Sequence, residues 1–107
     1  MKKIFIAGLT AFSWLTVSAH AEDYILNIKD HTFSPAELTI PAGQKVQITM
    51  KNLDATPAEF ESSDLNREKV VSGNSKITVY IGPLSAGNYS YFDDFHRDTT
   101  KGIIVVK

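Results

Sequence analysis

The sequence contains no cysteine among its 107 residues. This absence excludes disulfide bonds, thiolate nucleophiles, zinc–thiolate sites and iron–sulfur clusters. Basic residues form no cluster, and the formal net charge is −1 at pH 7, which argues against a nucleic-acid partner. After residue 21 no apolar run is long enough to cross a bilayer. The single tryptophan, Trp14, lies before that point.

The first 21 residues have the features of a signal peptide. Two lysines precede an apolar stretch, and the Ala-His-Ala that ends at Ala21 has the small-x-small form that signal peptidase accepts. The apolar stretch is short for a retained membrane anchor, which is the alternative interpretation. We therefore expect cleavage after Ala21, export to the periplasm of a Gram-negative cell, and one small mature domain over residues 22–107 with no membrane span.

The rest of the chain alternates apolar and polar residues with the period of a β-strand. Such runs cover residues 24–28, 38–40, 46–50 and 77–81, and the nearly continuous apolar run 103–106 suits a strand in the middle of a sheet. Proline, glycine and asparagine separate these runs, and no window has helical periodicity. This pattern predicts an all-β fold, a two-sheet antiparallel sandwich.

Two polar clusters interrupt the pattern. Glu59 and Glu61 lie two positions apart on a predicted strand and therefore point to the same face. Farther along the chain, another predicted strand runs directly into Asp93, Asp94 and His96. Adjacent carboxylates repel each other, and a cation beside them relieves the repulsion. Carboxylate and imidazole ligands together suit Fe, Cu(II), Mn or Zn rather than Cu(I), so these clusters predict a metal site.

Other interpretations of these residues stay open. Asp93, Asp94 and His96 are also typical of a solvated turn in which an aspartate caps backbone N–H groups. His31 is a further candidate, either as an exposed turn residue near the site or as a partner of a ligand. No Ser–His–Asp arrangement and no glycine-rich loop that opens a helix is evident, so no catalytic residue and no nucleotide site is assigned.

Several segments resemble cupredoxin-like domains, and together they cover nearly the whole chain after residue 21. They are FSPAELTI (33–40), PAGQKV (41–46), NLD (52–54), IGPLSAGNY (81–89) and GIIVV (102–106). The resemblance implies a Greek-key β-sandwich of about seven to eight strands. The site departs from blue copper proteins, because a blue copper centre needs a cysteine thiolate and two histidines. The first of those histidines would fall near Ala58 or Glu59, and the cysteine would fall near Asp93.

A narrower resemblance is to the cupredoxin-like proteins of the EfeO and FtrB type, which belong to bacterial ferrous-iron uptake systems. It rests on the segments EFE (59–61), EKVV (68–71), IGPL (81–84) and FDDFH (92–96). The EfeO form carries a cysteine near the position of Asp93 and a second domain, and their absence here favours the single-domain FtrB type.

The resemblance implies a periplasmic protein that binds an iron or copper ion and assists the oxidation and uptake of ferrous iron. Its implied partners are a periplasmic copper-binding iron-transport protein and an inner-membrane iron permease. We expect Glu59, Asp93, Asp94 and His96 as direct ligands, with Glu61 and His31 as outside candidates. Whether the protein acts as an enzyme stays open. The alternatives are a metal-free sandwich module for protein contacts at the cell envelope and a Cu(II)-binding copper-resistance protein.

Overall fold

The computed structural model describes residues 22–107, and the expected signal peptide lies outside them. This part of the chain forms nine β-strands and one short 3-10 turn. The strands are β1 (Glu22–Lys29), β2 (Thr32–Ser34), β3 (Glu37–Ile40), β4 (Val46–Asn52), β5 (Ala58–Ser62), β6 (Arg67–Val71), β7 (Ser75–Ile81), β8 (Gly87–Phe92) and β9 (Lys101–Val106). The 3-10 turn is Asp94–His96, between β8 and β9. Within this part of the chain, no helix is long and apolar enough to cross a membrane.

The strands form two sheets with an apolar core between them. One sheet has the order β2-β1-β4-β7 and the other has the order β3-β9-β8-β5-β6. The alternating residues predicted to face inward do so: in β4, Val46, Ile48 and Met50 are fully buried. Strand β9 lies between β3 and β8, as its apolar run predicts. The predicted all-β sandwich is confirmed.

The sheets are mixed rather than purely antiparallel, which differs from the expectation drawn from the pattern. Strand β1 pairs with β4 in parallel, and β3 pairs with β9 in parallel. The cause is that the chain leaves the first sheet after β2, contributes β3 to the second sheet, and then returns with β4. Period-two alternation defines which residues face the core, but it carries no information on the direction of the neighbouring strand.

Nine strands also exceed the expected seven to eight. The two that the pattern does not reveal are β2 and β6. Strand β2 has three residues, of which only the middle one, Phe33, is buried, so it is too short to show an alternation. The first four residues of β6 are all exposed, so this edge strand lacks the apolar alternation that marks the others.

Two turns bring Asp93, Asp94 and the two histidines of the described chain towards one end of the sandwich. The two-residue turn Asp30-His31 joins β1 to β2. Strand β8 ends at Phe92, and Asp93 follows directly as the cap of the 3-10 turn. The backbone N–H of Asp93 donates to the Thr100 carbonyl at 3.0 Å, which closes the loop before β9 begins.

Candidate metal centre

Strand β5 presents two different faces. Ala58 and Phe60 belong to the apolar core, and the Phe60 ring stacks on the Tyr91 ring with centroids 4.9 Å apart. Glu59 and Glu61 alternate with these residues and therefore lie on the opposite face. The predicted common face of the two glutamates is confirmed by the close approach of their carboxyl groups.

Glu59, Glu61 and Asp94 form what we call the acidic group. Each offers a carboxylate oxygen, and the three oxygens lie within 4.8 Å of one another. Their burial is graded, since Glu59 is buried, Glu61 is intermediate and Asp94 is exposed. Glu59 and Glu61 are fixed on a strand, whereas Asp94 comes from the 3-10 turn. Two elements that are distant in sequence thus place three anionic ligands around one point.

Glu59 is the most constrained member of the acidic group. Its exposure is only 4%. Burial raises the pKa of Glu59 to about 7, and the negative charge of Glu61 and a side-chain hydrogen bond to Glu68 add to the effect. A carboxyl group that stays protonated near neutrality can donate its proton to the neighbouring Glu68 carboxylate. In the absence of a cation, a proton therefore relieves the repulsion among these side chains.

Glu61 shows a second sign of unrelieved charge. Its Oε1 atom is buried and has no hydrogen-bond partner in the described chain. Glu61 also lies directly opposite Glu68 in the pairing of β5 with β6. Like charges directly opposite on paired strands destabilise a sheet, and a buried polar atom without a partner carries a further cost. A cation coordinated by Oε1 would remove both penalties.

Asp94 is held by an arginine from its own loop. The Arg97 guanidinium donates from Nη2 at 2.7 Å and from Nε at 3.1 Å, and both bonds end on Asp94 Oδ1. The guanidinium also lies over the Phe92 ring, 4.4 Å from its centroid. Asp94 Oδ2 takes no part in these bonds, so Arg97 orients the carboxylate and leaves one oxygen for a ligand.

Asp93 and His96 lie in a different environment. Asp93 is fully buried, and its Oδ1 accepts a hydrogen bond from the Phe95 N–H at 3.0 Å. Its Oδ2 faces His96 Nδ1 at 3.4 Å. The His96 ring stacks on the His31 ring with centroids 3.8 Å apart. We call His31 and His96 the imidazole pair.

The four predicted ligands are thus divided between two places. Glu59 and Asp94 lie together, joined by the outside candidate Glu61, and within residues 22–107 no other group of three or more carboxylates and imidazoles has its ligand atoms this close together. Asp93 and His96 lie together with the outside candidate His31. The structure also shows the capping by Asp93 that was the alternative interpretation of this segment.

Three contributors were not singled out from the sequence. Glu68 contacts Glu59, Arg97 holds Asp94, and Asp54 contacts the turn that carries His31. Arg97 follows Asp94 by three residues, a spacing that permits an ion pair within one turn. The position of Glu68 beside the two glutamates of β5 can be inferred only once the register of the β5–β6 hairpin is known.

Comparison with known proteins assigns the family. The profile of the cupredoxin-like domain matches residues 2–106. The chain belongs to the cupredoxin-like family. An uncharacterized protein of Rickettsia prowazekii (strain Madrid E) is 43% identical over 81 residues, which cover 76% of this chain and 65% of that protein. The chain therefore spans less than two thirds of that relative's length.

Solved structures with the same fold include copper proteins. The metal-binding domain of the Cu(I)-exporting P-type ATPase CopA of Streptococcus pneumoniae D39, solved with Cu(I), has a TM-score of 0.73, 12% identity, and coverage of 86% of this chain and 91% of that one. Auracyanin A, a blue copper protein of Chloroflexus aurantiacus, has a TM-score of 0.69, 20% identity, and coverage of 82% and 100%. At such identities the likeness shows the fold alone.

The donor set does not fit a blue copper centre. That centre requires a cysteine thiolate, and this cupredoxin-like chain has no cysteine. The cysteine of a blue copper protein would fall near the residue that follows β8, and in this chain that residue is Asp93. The three oxygens of the acidic group suit a harder ion, and the buried Glu61 Oε1 without a partner is consistent with a cation at this point.

Proposed function

We propose that this cupredoxin-like protein binds a metal ion through Glu59, Glu61 and Asp94 and serves as the metal-binding component of a ferrous-iron uptake system. The observation that carries the proposal is the convergence of three carboxylate oxygens within 4.8 Å, one carboxyl being almost fully buried. Such a set destabilises the apoprotein because like charges repel. A cation among the three carboxylates replaces this repulsion with attraction.

The donor chemistry of the acidic group suits iron and disfavours Cu(I). Carboxylate oxygens are hard ligands, whereas Cu(I) prefers thiolates and thioethers. Three carboxylates also stabilise a trivalent ion more than a divalent one, since the Coulomb energy scales with the charge. The acidic group would therefore favour the ferric form and make bound Fe(II) easier to oxidise.

The cellular setting is part of the same proposal. The first 21 residues carry the features of a signal peptide, which supports export to the periplasm. The resemblance to proteins of the EfeO and FtrB type supports two partners, a periplasmic copper-binding iron-transport protein and an inner-membrane iron permease. In this setting the iron is cargo that passes through the acidic group on its way to the permease.

A second candidate function is the handling of Cu(II). The observation that favours it is the structural relation to copper proteins such as auracyanin A and the CopA domain. Cu(II) accepts carboxylate and imidazole ligands, both of which are present here. The iron role requires that the acidic group bind Fe(II), whereas the copper role predicts binding of Cu(II) alone.

Calorimetric titration of the purified protein with anaerobic Fe(II), and separately with Cu(II), tests the proposal. The informative variant is Glu59→Gln/Asp94→Asn, which keeps the shape of both side chains and replaces two carboxyl groups with neutral amides. We expect its Fe(II) affinity to fall at least about 100-fold, beyond the loss typical of removing a partner outside the coordination sphere. Glu37→Gln is the matched control, because it removes an exposed carboxylate from β3, at the opposite edge of the same sheet.

The outcomes separate the candidates. Binding of Fe(II) that is lost in the double variant and retained in Glu37→Gln supports the iron role. Binding of Cu(II) without binding of Fe(II), with the same dependence on the variants, favours copper handling. A higher affinity for Cu(II) alone does not, because Cu(II) binds most such sites more tightly than Fe(II) does. No binding of either ion to folded protein overturns the metal proposal and leaves the metal-free envelope module.

A further inference from the structure

The two imidazoles of the described chain come together from opposite sheets. His31 lies in the turn between β1 and β2 of the four-stranded sheet, and His96 ends the 3-10 turn between β8 and β9 of the five-stranded sheet. Their rings stack with centroids 3.8 Å apart and planes 27° from parallel. The side chains are 44% and 34% exposed, so an ion can reach both rings from solvent.

The position of His31 is built by several contacts. Asp30 and His31 both have left-handed backbone angles, with φ of 51° and 55°. The Asp54 carboxylate accepts the N–H of Asp30 at 2.7 Å and the N–H of His31 at 3.0 Å. The Thr100 hydroxyl donates to the His31 carbonyl. Non-glycine residues adopt this conformation seldom and at a cost in free energy, so the surrounding contacts must hold it.

The position of His96 is built in the same way on the other sheet. Its backbone N–H donates to the Asp93 carbonyl at 2.9 Å, and its own carbonyl accepts the Thr100 N–H at 2.9 Å. Asp93, which is fully buried, caps this segment by accepting the Phe95 N–H. Thr100 therefore contacts both histidines, through its hydroxyl to one and its N–H to the other.

Both rings face a carboxylate with the same nitrogen. His96 Nδ1 lies 3.4 Å from Asp93 Oδ2, and His31 Nδ1 lies 3.7 Å from Asp54 Oδ2. Neither Nε2 has a hydrogen-bond partner among residues 22–107. A histidine that binds a metal through one nitrogen commonly directs the other to a carboxylate, which fixes the tautomer and strengthens the ligand. The imidazole pair has this arrangement twice.

We propose that His31 and His96 form a second metal site, separate from the acidic group, which takes a borderline divalent ion such as Cu(II) or Zn(II) through the two Nε2 atoms. The lone pairs lie in the ring planes, and these planes are 3.8 Å apart at the centroids and only 27° from parallel, so one ion at bonding distance does not lie in both planes. Binding therefore requires one ring to turn about its Cβ–Cγ bond, which is a soft torsion. Asp54 and Asp93 act as positioning residues for the two rings.

The test measures the nitrogen ligands directly. Cu(II) is added to the full protein carrying Glu59→Gln/Asp94→Asn, so that the acidic group does not compete, and electron paramagnetic resonance counts the nitrogens from their hyperfine lines. We expect one bound Cu(II) with two nitrogen ligands. His31→Phe, which keeps an aromatic ring over His96, should leave one nitrogen and lower the affinity at least about 10-fold. His31→Asn, which suits the left-handed backbone, should give the same loss.

Zn(II) titration followed by calorimetry gives the stoichiometry without a redox-active ion. Wild type should bind more zinc than His31→Phe, and circular dichroism should show that both variants at position 31 are folded. A Cu(II) spectrum without nitrogen lines overturns the proposal, as does an unchanged spectrum and affinity in both variants. Because the double variant already lacks two carboxylates of the acidic group, failure here leaves the proposed iron site untouched, and failure of the iron site leaves this one untouched.

Discussion

The acidic group and the imidazole pair meet at one short turn, which contributes Asp94 to the first and His96 to the second, and they are built by different means. Two of the three carboxylates in the acidic group come from a regular strand, where register holds them next to each other regardless of their mutual repulsion. The two imidazoles come from two turns on different sheets and are held by caps and backbone hydrogen bonds.

Asp93 and Asp94 are neighbours in sequence, but they do not share a site. Asp93 points inward and is fully buried, whereas Asp94 points outward and is 44% exposed. Asp93 accepts a backbone N–H and faces His96, while Asp94 pairs with Arg97 and approaches Glu59 and Glu61. A pair of aspartates that looks like one ligand set in the sequence therefore divides into a structural residue, Asp93, and a member of the proposed metal site, Asp94.

The largest effect of a substitution is expected at Asp93. Asp93→Ala removes a buried cap and leaves the Phe95 N–H without its acceptor, so the free energy of unfolding should fall by about 2–3 kcal/mol. Asp94→Asn, one residue away, should change it by less than about 0.5 kcal/mol, since its side chain is at the surface. Urea denaturation of both variants measures the difference, and equal losses would contradict the division of roles.

A smaller effect is expected from pH and concerns Glu59. The pKa of Glu59 is raised to about 7 in the folded protein, from an ordinary value of 4.5. The folded chain therefore retains a proton that the unfolded chain has lost, and the free energy of unfolding should fall as the pH rises from about 4.5 to about 7. Given partial screening, we expect a loss on the order of 1–2 kcal/mol.

Glu59→Gln isolates this contribution, because glutamine cannot ionise. The difference in stability between variant and wild type should grow across the same pH interval, with the variant more stable at pH 8 in metal-free buffer. Denaturation curves at several pH values give that difference directly. A difference that stays constant between pH 4.5 and 8 would show that Glu59 is not the group that retains a proton in the folded chain.

The smallest effect is expected at Arg97. Its guanidinium holds Asp94 Oδ1 and places a positive charge beside the proposed cation site. Arg97→Gln should tighten Fe(II) binding about threefold to tenfold, near 1 kcal/mol, because a like charge a few ångströms away is removed. Arg97→Lys keeps the charge and should bind as wild type does. The gain should shrink at high salt, and weaker binding in Arg97→Gln would mean that orienting Asp94 matters more than its neutralisation.

Much of the fold could be predicted because burial follows a simple period. Leu26, Ile28, Ile48 and Met50 alternate with polar residues and are fully buried in the structure. The parallel pairing of β1 with β4 could not be predicted, since strand direction depends on where the chain crosses between sheets. Strand β6 was missed because its exposed residues, held at an edge by pairing with β5, carry no apolar signal.

The sequence identifies the residues of the candidate site, but it does not show which of them lie together. Glu59 and Glu61 share a face by strand geometry alone, and the structure places them together. The separation of Asp93 from Asp94 depends on the dihedral angles at the cap of a 3-10 turn, with φ −99° and ψ 113° at Asp93. The contact of His31 with His96 joins two turns 65 positions apart, and no local pattern encodes it.

The place of β9 has a consequence for how the chain folds. This strand is the last of nine in order, yet it joins β3 to β8 and is bonded along both of its edges. Before β9 docks, β3 has no partner in its sheet and the loop that carries Asp94 and His96 has no far anchor. Such distant pairings slow folding, because the entropy of closing a long loop is lost before the contacts form. Both candidate sites should therefore be among the last parts of the molecule to acquire their final geometry.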